Sequence, residues 1–335
     1  MTRPIIALLA VCAVLTALPD RVPAQSSSAI YGQACAAEIE AIPSFECADG
    51  VTVPITIDGV EVTDRAPATC DRPGLLDNGH GSDGQCVPFS RILNLSTEAA
   101  QVSVMCRQKK FRSHDATEYD EIDVIAHNPD TGATCWFQAK ADDGGTVSGV
   151  AVPAPTSATD TSFWVSPEAV VADDCGSCHD NDPFMYSPFV SQVWDHVPTN
   201  PFGPYTHVGQ DLGFDAWPRW EMAPRDNTCL SCHRIGTGQW AVGGVPPDDQ
   251  NHEKPGTCGQ LASWMTGAPF PGADELARSY PLSHAMPPNI GMTEQEWAVR
   301  YGDSVAQVHS CCADPSQAWC NVREIRSYVE DRSSP

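Results

Sequence analysis

Fifteen cysteines in 335 residues constrain this chain more than any other feature. One of them, Cys12, falls in an N-terminal apolar run. The rest divide by spacing into two kinds. Four form two repeats of one pattern, Cys175-Gly176-Ser177-Cys178-His179 and Cys229-Leu230-Ser231-Cys232-His233, whose first cysteines are 54 residues apart. The other ten follow no short motif: Cys35, Cys47, Cys70, Cys86, Cys106, Cys135, Cys258, Cys311, Cys312 and Cys320. Ten is even, so five disulfides can close them once the motif cysteines are set aside. Such cysteine usage is expected in an oxidising compartment, the periplasm or the cell exterior.

The N-terminus agrees. A weakly basic Met1–Arg3 precedes an apolar run, Ile5 to Leu18, and Val22-Pro23-Ala24 supplies small residues for cleavage. Residues 1–24 read as a signal peptide. The apolar run is too short for a membrane span, which needs roughly 20 residues. No later stretch is long and apolar enough, so no transmembrane segment is expected after cleavage. The formal net charge is −24. A surface of that sign repels nucleic acid and anionic lipid, keeps a protein soluble and favours partners with basic surfaces.

The length is that of two domains. Residues 25–150 are expected to form a β-rich domain. Val53, Ile55 and Ile57 alternate with other residues, and Asp58-Gly59 is a two-residue turn signal before Val60-Glu61-Val62, which together predict a hairpin. Strands are also expected at 102–106, 122–126 and 134–137, with Cys106 and Cys135 placed to staple them. Asp71, Asp77, Asn78 and Asp83 lie between Cys70 and Cys86. Their spacing does not fit a calcium loop of the EF-hand type and reads as a disulfide-closed loop. Residues 151–165, rich in Pro, Ser and Thr, read as a linker. In the region 166–335, Ser166-Pro167-Glu168 is a helix start. Thr293-Glu294-Gln295-Glu296 has the form of a capping box, and Trp297, Tyr301, Val305 and Val308 continue at helical spacing, so a helix is expected over 294–309. A last helix is expected over 321–330.

The two Cys-x-x-Cys-His motifs carry the chemistry. Two thiols three residues apart can each add to one vinyl group of the same porphyrin, and the following histidine can reach the iron. The pattern reads as c-type haem attachment. Four cysteines in two pairs can also bind zinc, and a Cys-x-x-Cys can be a redox dithiol. Neither of those uses calls for histidine after both pairs.

From Ser166 onward, on these motifs, the chain resembles the di-haem c-type cytochromes. The resemblance covers about half of the mature chain. It implies two covalently bound haem c groups, held by Cys175, Cys178, Cys229 and Cys232, with His179 and His233 as iron ligands. Met286, in His284-Ala285-Met286-Pro287-Pro288, is similar to the Met-Pro ligand loops of small cytochromes c and is the candidate sixth ligand of the second haem. Met265, Met292, His252 and His284 compete with it. For the first haem the candidates are Met222, His207 and His196. The expected fold class is α+β: the short strands and turns of the first half give a disulfide-stapled, sandwich-like β-domain, and the resemblance implies a mainly helical, loop-rich di-haem cytochrome c domain after it. The implied function is transfer of single electrons between redox partner proteins, with no catalytic residue assigned. A peroxidase-like oxidoreductase with one open haem is the alternative, although such peroxidases separate their motifs by many more residues. A haem-containing binding or sensor protein is the other.

Overall fold

The computed structural model describes residues 26–74, 86–141, 144–157, 162–173, 175–177, 179–185, 187–199, 202–217, 219–231, 233–237, 258 and 293–325. The expected signal peptide, Cys178, Cys232, Met286 and the competitors Met265, Met292, His252 and His284 lie outside these residues.

In the first half run β1 (Val51–Thr52), β2 (Thr56–Ile57), β3 (Val60–Glu61), β4 (Arg91–Asn94), β5 (Gln101–Arg107), β6 (Glu118–Tyr119), β7 (Glu121–His127), β8 (Ala133–Lys140) and β9 (Val147–Ser148). Later come β10 (Thr206–His207), β11 (Trp220–Met222), β12 (Ile235–Gly236) and β13 (Arg323–Glu324). The helices are α1 (Ser27–Glu38), α2 (Pro167–Ala172) and α3 (Glu294–Ala313). A six-stranded sheet ordered β1-β4-β5-β7-β8-β10 dominates; the other sheets have two or three strands. The first half is thus β-rich, with one large sheet. Its neighbours are antiparallel except β8 and β10, which run parallel.

Period-2 chemistry builds this sheet. In β5, Val102, Val104 and Cys106 are buried and the residues between them are half-buried. These residues, with Ile122, Val124 and Ala126 of β7, pack on Tyr31 and Cys35 of α1. Met105 and Ile125 point to the opposite face and pack with Phe184, Phe189 and Trp194. Because both faces are covered, β8 is buried at every position but the last. The predicted hairpin is β2–β3, with Asp58 and Gly59 at φ 51° and 77°, the positive values of a type I′ turn. Asp71 closes that turn. Its carboxylate accepts from the amides of Asp58 and Gly59, both at 2.9 Å, and from the Thr56 hydroxyl at 2.8 Å.

All ten non-motif cysteines are paired, as Cys35–Cys135, Cys47–Cys106, Cys70–Cys86, Cys258–Cys312 and Cys311–Cys320. Cys106 and Cys135 are therefore not stapled to each other. They lie on β5 and β8 with β7 between them, and each bonds a cysteine of the segment that covers the sheet.

The 151–165 stretch is packed rather than free. Val152 bridges to Phe45 and is fully buried, and Trp164 is buried in the sheet's own core. Residues 166–217 then return to the sheet. Val170, Tyr205, Phe214 and Trp217 join the α1 side cluster, and β10 extends the sheet. The first Cys-x-x-Cys-His thus shares its core with the β-rich region. The second has a separate core of Met222, Cys229, Ile235, Val305, Val308 and two disulfides. α3 begins at the expected capping box, with Thr293 and Glu296 reciprocally bonded. Over 321–330 the expected helix does not begin: Asn321 is left-handed at φ 47°, and Arg323–Glu324 pair with β11 as β13. The disulfide at Cys320 and this pairing override helical propensity there. Residues 326–330 lie outside the described set.

Candidate functional site

Both motifs adopt the same local form. Short 3-10 turns, Cys175–Ser177 and Thr228–Ser231, are each closed by a hydrogen bond from the histidine amide to the first cysteine carbonyl, 2.9 Å in both cases. This turn carries the histidine back over the cysteine that opens the motif.

The first turn is fed by α2, whose N-cap Ser166 accepts from the Ala169 amide. Trp217 lies directly on Gly176. A Cβ there would stand 2.3 Å from the indole Cγ, so only glycine fits. The Trp217 indole donates to the Val171 carbonyl at 3.3 Å. His179 packs edge-on to Trp136, with ring centroids 4.9 Å apart, and its carbonyl accepts from the Tyr205 hydroxyl at 2.6 Å. Its Nδ1 is buried and makes no hydrogen bond. Burial pushes its pKa down to about 4, so the imidazole is neutral at physiological pH. That is the state in which histidine ligates a metal.

His207 stands beside this turn, 5.5 Å from Trp217 and 4.9 Å from Tyr205 between ring centroids. Its Nδ1 accepts from the Trp136 indole at 3.1 Å. An indole N–H only donates, so the neutral ring carries its proton on Nε2. Ligation through Nε2 would require that proton to move and the Trp136 bond to break. His127 has the opposite tautomer. The Thr134 hydroxyl gives its proton to the Gly132 carbonyl at 3.0 Å and so accepts from His127 Nδ1 at 2.8 Å. The lone pair then sits on Nε2. His127 is fully buried beside Phe184, which follows the first motif, and burial with the nearby Arg234 charge lowers its pKa to about 4. Sequence reading passed over this residue because a single histidine at a strand end carries no motif. His196, in contrast, is exposed.

The second turn is held by α3. Asn227 accepts from the Cys229 amide at 3.0 Å and donates to the Ser304 carbonyl at 2.9 Å, while the Thr228 amide donates to the Ser304 hydroxyl at 2.9 Å. Cys229 is buried outside the five disulfides, and burial pushes its thiol pKa up. Burial also lowers the pKa of His233. Met222 is buried in this second core with Cys229, its sulfur 3.8 Å from Cys258 Sγ. Strand β11 carries it there by pairing with β12, which follows the second motif. The structure therefore sets Met222 beside the second motif rather than the first.

The residues fit a covalently held haem. Each turn joins the cysteine that would attach it to a half-buried histidine whose pKa is lowered, and the first leaves a buried ring nitrogen of His179 without a hydrogen bond at its centre. Among the described residues no three His, Cys, Asp or Glu side chains gather into a metal cage. A haem iron asks the protein only for axial ligands. Among the described residues no helix is long and apolar enough to cross a membrane. The chain matches no protein family, no curated protein and no solved structure.

Proposed function

We propose that this chain is a secreted or periplasmic di-haem c-type cytochrome that passes single electrons between redox partner proteins. The observation that supports it best is the repetition of one local geometry, a Cys-to-His turn closed at 2.9 Å, in two different cores. Five disulfides agree with an oxidising compartment.

In this reading Cys175 and Cys178 hold one haem and Cys229 and Cys232 the other, through thioether bonds. His179 and His233 supply one axial nitrogen each. The haem irons, when bound, supply the one-electron chemistry. Burial lowers the pKa of both imidazoles, that of His179 to about 4, while Trp217 and Asn227 fix their turns and an acidic surface steers basic partners.

A pyridine haemochrome assay on protein matured with haem-attachment machinery tests the reading. Two c-type haems per chain, both six-coordinate and inert to cyanide and peroxide, are expected. A high-spin haem that reacts with peroxide would favour the oxidoreductase, and no covalent haem would end the proposal.

Met286 is proposed as the sixth ligand of the second haem. Met286→Ala is expected to abolish the far-red methionine–iron charge-transfer band, and its survival would assign another methionine. For the first haem His127, buried beside Phe184, is proposed ahead of His207, whose Nδ1 accepts from the Trp136 indole and would have to give up that bond. His127→Leu is expected to turn one haem high-spin, and His207→Leu to leave both low-spin. The reverse result would return the role to His207.

A further inference from the structure

The residues that follow the two motifs meet each other. The Asn181 carboxamide, two residues after His179, donates to the carbonyl of Arg234, the residue after His233. Arg234 answers: its Nη1 donates to the Asn181 carbonyl at 3.1 Å and its Nη2 to the Gly203 carbonyl at 2.6 Å. Its Nε lies 3.1 Å from Glu221 Oε2 on β11. One step further, Gly236 abuts Asp180, and a Cβ on Gly236 would stand 2.1 Å from the Asp180 carboxylate. The Arg234 side chain is only 7% exposed, and Asp180 and Asn181 are buried.

Burying a guanidinium is costly, and an apolar contact of similar volume often gives as much stability. What the guanidinium adds is direction. Its planar fork fixes two carbonyls at set angles, which an apolar side chain cannot do, while Glu221 balances its charge. One of those carbonyls is that of Asn181, two residues after His179, and Asn181 in turn donates to the carbonyl of Arg234 itself, the residue after His233. A reciprocal pair of hydrogen bonds therefore locks one motif's turn to the other's, across 54 residues of sequence.

We propose that Arg234, with Asn181, is the positioning residue that sets the two haems against each other and thereby sets the rate of electron exchange between them. This rests on the di-haem reading. Electron transfer falls steeply with separation and depends on the bonded path. The link from His179 through Asn181 to Arg234 and His233 is short and contains one hydrogen bond.

The test uses the full-length, haem-loaded protein and the variants Arg234→Gln and Arg234→Lys. Haem content is measured first. Then come the electron paramagnetic resonance spectrum of the oxidised form, which reads magnetic coupling between the irons, and the inter-haem exchange rate after photoreduction. Arg234→Gln is expected to keep two covalent haems, lose the coupling and slow the exchange. Arg234→Lys, which keeps the charge without the fork, is expected to recover only part of either. If Arg234→Gln is not secreted, Asn181→Ala removes the reciprocal donor and is read in the same way. Unchanged coupling and exchange in a two-haem variant would overturn the brace and leave the di-haem reading intact. Wild-type protein with fewer than two covalent haems would overturn both.

Discussion

Replacing Cys175 and Cys178 together by alanine is expected to yield a chain with one covalent haem in place of two. The two motifs stand in separate cores. The first packs on Trp136 and Trp217 beside the large sheet, and the second is held by α3 and the Cys258–Cys312 and Cys311–Cys320 disulfides. Losing the first attachment removes none of the Asn227 and Ser304 hydrogen bonds that hold the second turn. The sheet also keeps both disulfides that tie it to its covering segments. Haemochrome absorbance per chain should halve, and the intact mass should fall by one haem beyond the two sulfur atoms removed. Cys229→Ala with Cys232→Ala should give the mirror result. Persistence of both haems in either variant would refute the assignment of these cysteines. Loss of both haems with folding intact would mean that the attachments are not independent.

The largest stability loss is expected from the Cys35–Cys135 bridge. It closes a separation of 100 residues and lies wholly buried between α1 and β8. In the chain-entropy account such a closure contributes about 4.7 kcal/mol, and one of nine residues, like Cys311–Cys320, about 2–3 kcal/mol. Domains are stable by only about 5–15 kcal/mol in total, so the loss should be visible as reduced secretion. The measurement is urea denaturation of Cys35→Ala with Cys135→Ala against Cys311→Ala with Cys320→Ala. The long closure should cost more. Equal or reversed losses would show that native-state strain or residual denatured structure, rather than loop length, dominates here.

Much of this structure was legible from short stretches of chain. The Asp58-Gly59 hairpin, the Ser166 and Thr293 helix caps and the alternation of β5 and β7 each depend on residues within a few positions of one another. Their energetics are local, so a window of sequence contains them. The two Cys-x-x-Cys-His patterns belong to the same class, since one helical turn places each histidine. The cysteine count predicted five bridges for the same arithmetical reason.

What escaped the sequence has the opposite character. The bridge partners Cys35 and Cys135 are brought together only by α1 folding onto the sheet, and the spacing of ten cysteines allows many other pairings. Residues 151–165 have a linker's composition, yet Val152 and Trp164 are buried because the chain after them returns to cover the sheet. His127 gains its tautomer from Thr134 on the next strand and its environment from Phe184. Met222 moved from the first motif to the second because β11 pairs with β12. The sequence by itself determined the turns, the caps, the strand periodicity and the two Cys-x-x-Cys-His patterns, all of them set by neighbours along the chain. Only the tertiary structure decided which cysteines pair, that His127 is buried beside Phe184, and that Asn181 and Arg234 clasp each other, because those contacts depend on the order in which strands and loops are brought side by side.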